Sequence, residues 1–362
     1  MTTRREAIMT AATALGAAIC DALDLSEAVP DEPTPAPAPV PAEPIQYGAI
    51  IEPEAPVLEG VEKVVFGVQM RKTDGDSIDI ANRWWADKYM GYRASARLAY
   101  VNCEDIMLHN YGPMIVMRGC DDIYINRVWS LDARHSETYG IGILRATDTL
   151  GKIRVTNTKF VGSEPLPNSG DPRAVFCLQG KDGDDVCTDW ELSRFHYENC
   201  VMLPKLNEDG SVASDSRYLN VDGISIERGH DDGVIEHGFI DNCSDAGIDC
   251  KGHNVLINQV DIANCRQSLK LWDTSERYGR IISRTPRFAH ILAASSSQQV
   301  EGERIVIDRL ECPDAPTKPV VAFEGRKDVV IRTLIAPEGQ KLFTKTNDAD
   351  GSTLWVNGTQ VL

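Results

Sequence analysis

The chain has 362 residues, 42% of them hydrophobic, and a formal net charge of −17. That is enough apolar chain for a sizeable core in one large domain or two, and so acidic a balance disfavours nucleic acid as a partner. The ten cysteines show no CxxC and no zinc-type spacing, so they read as small buried hydrophobes and not as a disulfide framework.

Residues 1–45 differ from the rest. Arg4-Arg5 precede the Ala-rich run AIMTAATALGAAIC, and PDEPTPAPAPVPAEP comes after it. One reading is a twin-arginine-like export signal with a Pro-rich spacer, which implies a secreted or periplasmic protein. The usual aromatic after the arginines is missing, however. The other reading is a retained arm that docks the protein to a larger particle, such as a virion tail. No apolar stretch reaches the roughly 20 residues of a membrane span. Residues 46–100 read as a cap, with a strand in VEKVVFGVQM and Trp84-Trp85 covering the open end of the domain at 101–362.

Residues 101–362 read as short strands that alternate apolar and polar with period two, among them GIGILRA, AVFCLQG, DGISIER, GIDCKG, SLKLW and KDVVIRTL. Related phrases return every twenty-odd residues. Cys243 and Cys265, each after an Asn, show the spacing, as do Gly229-His230 and Gly252-His253. Stacked coils of three short strands explain such a period, because one coil cannot bury its own apolar face. The expected fold is all-β, a right-handed single-stranded parallel β-helix of about 8–10 coils with an N-terminal cap and a Pro-rich arm. STLWVNGTQVL closes the far end.

Aligning the phrases registers one face. Ile224, Ile248 and Leu269 stack inward, as do Ile226, Cys250 and Leu271. Their neighbours then point outward. One outward ladder reads Ser225, Asp249, Lys270 and His290, and the next reads Glu227, Lys251, Trp272 and Leu292. Gly142 and Phe176 extend the face upstream. Opposite charges on adjacent strands are ordinary cross-strand pairs, but Asp222, Asp245, Asp249, Lys251, Lys270 and Trp272 all converge here. Long insertions at 131–139, 162–172 and 201–220 approach the same face as cleft walls. They offer Arg134, His135, Arg173, Lys205 and Arg217 to an acidic sugar. By contrast Asn126, Asn157 and Asn258 read as a turn ladder, and Gly229-His230-Asp231-Asp232, His237 and His253 as turns.

The phrase Asn220-Val221-Asp222-Gly223-Ile224, joined one coil later by Asp245-Ala246-Gly247-Ile248-Asp249-Cys250-Lys251, resembles motifs of the pectate lyase-like β-helix superfamily. Ala246 stands where the polygalacturonases carry a second Asp, and Arg266-Gln267-Ser268 where they carry Gly-His-Gly. Calcium-dependent pectate lyases match about as well, since Asp222, Asp245 and Asp249 keep three of four carboxylates. The resemblance implies β-elimination on a uronic-acid polysaccharide. Asp222, Asp245 and Asp249 hold Ca²⁺, Lys270 takes the C5 proton, and Lys251 is the competing base. Catalytic roles thus fall to Lys270, Asp249 and Asp245. Lys251, Trp272, Glu227, Ser225, His290, Arg173 and Arg217 contact substrate. A lysine base needs its proton affinity lowered, and an adjacent carboxylate opposes that. Hydrolysis by two carboxylates is the second chemistry. A non-catalytic tail spike or adhesin, a homotrimer docked through residues 1–45, is the alternative from another class.

Overall fold

The structure, a computed structural model, describes residues 50–51, 58–59, 68–72, 91–109, 115–133, 142–163, 165–167, 173–180, 186–213, 219–294 and 304–362. Among them the fold is all-β, with one short 3-10 turn at Asn347–Ala349 and no α-helix. No helix there is long and apolar enough to cross a membrane. The segment 1–45, Trp84-Trp85, Arg134, His135 and Arg217 lie outside the described residues.

Among the described residues twenty-one strands form one hydrogen-bonded network in which, from Leu144–Thr147 to Thr353–Val356, each strand pairs with the next but one of the network along the chain. One run is Arg173–Gln179, Val221–Ile226, Ala246–Cys250, Gln267–Leu271, Ala289–Ala293, Val321–Phe323 and Phe343–Lys345. The other is Lys152–Gly162, Asp189–Cys200, Val234–Cys243, Leu256–Ala263, Ser275–Arg284, Ile305–Glu311, Asp328–Ile335 and Thr353–Val356. Within both runs every pair is parallel. The chain visits the two runs alternately, so paired residues lie one circuit of the chain apart, such as Ile248 with Leu269 and Ile235 with Ile257. Such pairing is consistent with a solenoid-like fold.

Side-chain alternation fills the interior. Phe176, Ile224, Ile248, Leu269, Ile291 and Val321 occupy successive rungs of one buried ladder. Burying each large aliphatic side chain contributes roughly 1.5–3 kcal/mol. Cys200, Cys243 and Cys265 stack in another ladder at 0% exposure. All nine described cysteines are buried and free.

Corners are made by residues in the left-handed region, which suits Asn and Asp better than other non-Gly residues. Asn199, Asn242 and Asn264 adopt φ of 60°, 59° and 54°, and the Asn242 amide donates to the Asn199 side-chain oxygen at 3.0 Å. A second set (Asp105, Arg127, Asn157, Arg194, His237 and Gln259) bends the longer strands in mid-course. Asn126 and Asn258 precede this bend and Asn157 lies on it; Asn157 donates to Asn126 at 2.9 Å. The Asn ladder therefore belongs to a corner inside continuous pairing and not to strand ends.

The two ends differ. Gly91–His109 pairs in parallel with Ile115–Ala133, while Val68–Lys72 runs antiparallel on its other edge. At the C-terminus the Asn357-Gly358 turn folds Thr359–Gln360 back, antiparallel to Thr353–Val356. Both residues have positive φ, 51° and 79°, as a tight type I′ hairpin requires.

Candidate functional site

The outward face of the first run carries a buried charged cluster. The register sets Ser225 beside Asp249 and Asp249 beside Lys270. Backbone bonds from Lys251 N to Ile226 O and from Trp272 N to Cys250 O align Glu227, Lys251 and Trp272 on the next outward positions. As far as Lys270 and Trp272, these two ladders agree with the sequence alignment.

Asp222 and Asp245 complete the cluster. Asp222 lies in the strand Val221–Ile226, and Asp245 immediately precedes Ala246–Cys250. Glycine at 223 and 247 permits this close packing. A Cβ on Gly247 would lie 2.4 Å from Ile262 Cγ2 and 2.9 Å from the Ser268 carbonyl oxygen. One carboxylate oxygen each from Asp222, Asp245 and Asp249 lies within 4.8 Å of the others, close enough in principle to share a metal ion.

All four charged groups are nearly sealed from solvent, with exposures of 1% for Asp222, 0% for Asp245, 4% for Asp249 and 6% for Lys270. Their contacts are specific. Lys270 Nζ lies 3.2 Å from Asp245 Oδ2 and 3.1 Å from Asp249 Oδ2. Asp245 Oδ1 accepts the Gln267 side-chain amide at 2.6 Å, and Arg266 stands 3.5 Å away. Asp249 Oδ1 accepts the Trp272 indole N–H at 2.7 Å. Asp222 Oδ1 accepts the Ala246 backbone N–H at 2.8 Å. The Trp272 ring centroid is 5.3 Å from Lys270 Nζ and 5.8 Å from Lys251 Nζ, and Lys251 pairs with Glu227 at 2.6 Å.

Burial drives the electrostatics. It pushes the Asp222 carboxyl well above the ordinary carboxylate range, and the charges of Asp249 and Asp245 push it the same way. Burial also raises Asp249, while Lys270 and then Lys251 oppose the rise. Three carboxyl groups thus face Lys270 within and Arg266 at the rim. Charge balances when Asp222 keeps its proton.

The carboxylates are the right donors for a hard cation. Lys270, however, already occupies Asp245 Oδ2 and Asp249 Oδ2. A metal ion and this ammonium compete for the same oxygens, so the residues as arranged do not fit Ca²⁺ unless Lys270 withdraws.

Three expectations need correction. His290 is not beside Lys270. Ile291 pairs with Leu269 and Leu292 with Lys270, a two-residue slip from the expected register. Ile291 fills the core rung after Leu269 better than Ala289, and the slip preserves the inward–outward alternation. His290 therefore leaves the charged cluster. It accepts or donates at Nδ1 to Ser283 Oγ (2.7 Å), which in turn meets Ser268 Oγ at 2.6 Å. Leu292 correspondingly leaves the Trp272 ladder, where Ala294 now stands. Upstream, Phe176 points into the core opposite Ile224, and Leu144, with which Gly142 shares parity, is its partner. Arg145 and Cys177 take the outward rungs in their place.

Arg173 begins its strand opposite Val221. Lys205 is exposed on the 201–213 excursion. That excursion reaches the site: Met202–Leu203 pairs with Leu166–Pro167, and Met202 N donates to Ser244 Oγ, next to Asp245, at 2.7 Å. Two of the three long insertions thus meet on the Asp245 side. His230 is buried in its turn, its Nδ1 accepting the Cys187 N–H at 3.1 Å.

Arg145 was not singled out from sequence, and Arg266 and Gln267 were noted only as standing where a Gly-His-Gly motif is absent. The period-two alternation of LRAT, matched to FCLQ, was the available signal for Arg145. Gln267 and Arg266 carry no motif, only their place one coil after Asp245. No family model, curated protein or solved structure matches the chain.

Proposed function

We propose that this chain is a right-handed parallel β-helix of about 8–10 coils that binds a polysaccharide along its Asp249–Lys270 face and cleaves it by acid–base hydrolysis. The observation that carries the reading is the contrast among three adjacent carboxyls. Asp249 and Asp245 are each ion-paired with Lys270, while burial pushes the Asp222 carboxyl well above the ordinary carboxylate range, towards its protonated form. A proton-holding carboxyl beside charge-paired ones is the arrangement glycosidic cleavage needs. Asp222 supplies the proton to the leaving oxygen, and the water that adds to the anomeric carbon passes its proton to Asp249. Asp249, fixed by Lys270 and the Trp272 indole, stabilises the positive charge that develops on the sugar ring. Trp272 and Lys251, at the rim, offer a stacking face and a cation to an acidic sugar.

Calcium-dependent β-elimination is the second reading, favoured by the three carboxylate oxygens within 4.8 Å. It requires Lys270 to surrender a proton before it can act as base, and two carboxylates at 3.1–3.2 Å favour the ammonium.

The test is a panel of acidic and neutral polysaccharides, monitored for both new reducing ends and the ultraviolet absorbance of an unsaturated product. Hydrolysis predicts reducing ends without the absorbance, and a fall of about 10²-fold or more in Asp222→Asn. A calcium-dependent rise in absorbance that is lost in Lys270→Ala would establish elimination instead. No product on any substrate would leave the face a binding or structural surface.

A further inference from the structure

We infer that Lys270 is the resident cation of the Asp222–Asp245–Asp249 cluster and keeps divalent metal out of it, so that removing its ammonium turns the same carboxylates into a hard-cation site. This deepens the reading of that face but uses only its geometry, and its readouts are binding and stability, so it stands or falls separately from any activity.

Spacing comes first. Calcium–oxygen bonds of about 2.3–2.6 Å let two ligands across the ion lie up to about 5 Å apart, and the three aspartate oxygens lie within 4.8 Å of one another. The cage therefore has the dimensions for an ion. Two of its three members, however, already hold a positive group: Lys270 Nζ stands 3.2 Å from Asp245 Oδ2 and 3.1 Å from Asp249 Oδ2.

Next, Lys270 cannot easily leave. Its side chain is 8% exposed, and its strand is locked between Ala246–Cys250 and Ala289–Ala293. The Trp272 ring lies 5.3 Å from the ammonium. Withdrawing Lys270 would strand buried carboxylates without their partner, which costs several kcal/mol. Metal entry must overcome that as well as its own dehydration.

Finally, one oxygen of each aspartate is held by a group independent of Lys270. Asp222 has the Ala246 N–H, Asp245 the Gln267 amide and Asp249 the Trp272 indole. Truncating Lys270 therefore leaves the carboxylates preorganised. A dication restores the positive charge that Lys270 supplied and adds one more.

The experiment measures calcium binding by titration calorimetry, and thermal unfolding in chelator and in calcium, for the wild-type chain, Lys270→Met and Lys270→Arg. Wild type and Lys270→Arg should show no saturable binding and no calcium-dependent shift in Tm. Lys270→Met should melt lower in chelator. It should bind about one calcium and recover by roughly 5 °C at a hundredfold excess over Kd. If Lys270→Met does not fold in chelator, refolding in calcium should recover it, and Lys270→Gln, which keeps a hydrogen-bonding tip, should behave alike. Calcium binding by the wild type as tight as by Lys270→Met would overturn the inference. So would folded Lys270→Met that binds no calcium, or failure of calcium to rescue both neutral variants.

Discussion

Two halves of one outward face show how far the coil repeat dictates chemistry. In the upper half Ser225, Asp249 and Lys270 occupy successive rungs; in the lower half the same rungs hold Leu292, Ala322 and Thr344. Backbone pairing continues unbroken across the change, and the inward ladder stays apolar on both sides. The lower half also forms its own small cluster of Ala289, Leu292, Ala294 and Ala322, against which Trp272 packs. The coil thus fixes where a side chain stands and leaves open what stands there. The upper half is stable only because its buried charges are matched, whereas the lower half depends on filled volume.

Mutations should separate these two kinds of dependence. The largest effect is expected from Asp249→Ala, which leaves Lys270 buried with half its pairing and should cost about 3–5 kcal/mol. Denaturant unfolding measures it. The double change Asp249→Asn with Lys270→Met removes both charges and should cost less than the sum of the two single changes, a coupling that a double-mutant cycle reads directly. In the lower half, Leu292→Ala should cost about 2–3 kcal/mol through lost packing. Its cost should not vary with salt or with pH.

Acid separates the halves in a different way. Burial pushes the His290 imidazole down to about 4. As pH falls below the unfolded value near 6.5, the unfolded chain takes the proton first, so stability is lost between about pH 6.5 and 4. The Asp222 carboxyl is shifted upward by burial. Its effect has the opposite sign: stability declines as pH rises from the ordinary carboxylate range toward the folded value. Unfolding curves across pH for His290→Gln and Asp222→Asn should each remove one slope and leave the other. The smallest effect is expected at Lys251→Ala, where a partly exposed pair with Glu227 is worth about 1 kcal/mol or less. Loss of saccharide binding without loss of stability would place Lys251 at the rim of the site.

The fold was legible because alternation is strict where both neighbours of a strand are strands. Ile224–Ile248–Leu269 and Asp249–Lys270 could be registered from that pattern alone. Register failed at the next coil for a physical reason. In AHILAA, residues 289, 291 and 293 are all apolar, so a slip of two residues satisfies the alternation equally well. The larger side chain of Ile291 in the core, together with the length of chain between the rungs, selects the observed pairing. The diagonal contact of Lys270 with Asp245 was also out of reach, because ladders align residues across rungs and Asp245 lies before its strand begins. Arg266 lies before its strand in the same way, and Gln267 opens that strand opposite Ala246, one residue past Asp245, so neither aligned with the carboxylate that it meets. The Asp222–Asp245–Asp249 grouping, in contrast, came from the Asp-Gly and Asp-Ala-Gly phrases. There a missing Cβ brings the carboxyl-bearing backbone close to the neighbouring ladder.

The most direct test of a protonated Asp222 is infrared difference spectroscopy at neutral pH, comparing wild type with Asp222→Asn. The expected result is a carbonyl stretch from one buried, protonated carboxyl in the wild type, absent from the variant and persisting until pH rises well above the ordinary carboxylate range. A wild-type spectrum with no such band, or a band that disappears near the pKa of a free aspartate, would contradict it. The cluster would then carry three ionised carboxylates, and the hydrolytic reading would lose its acid.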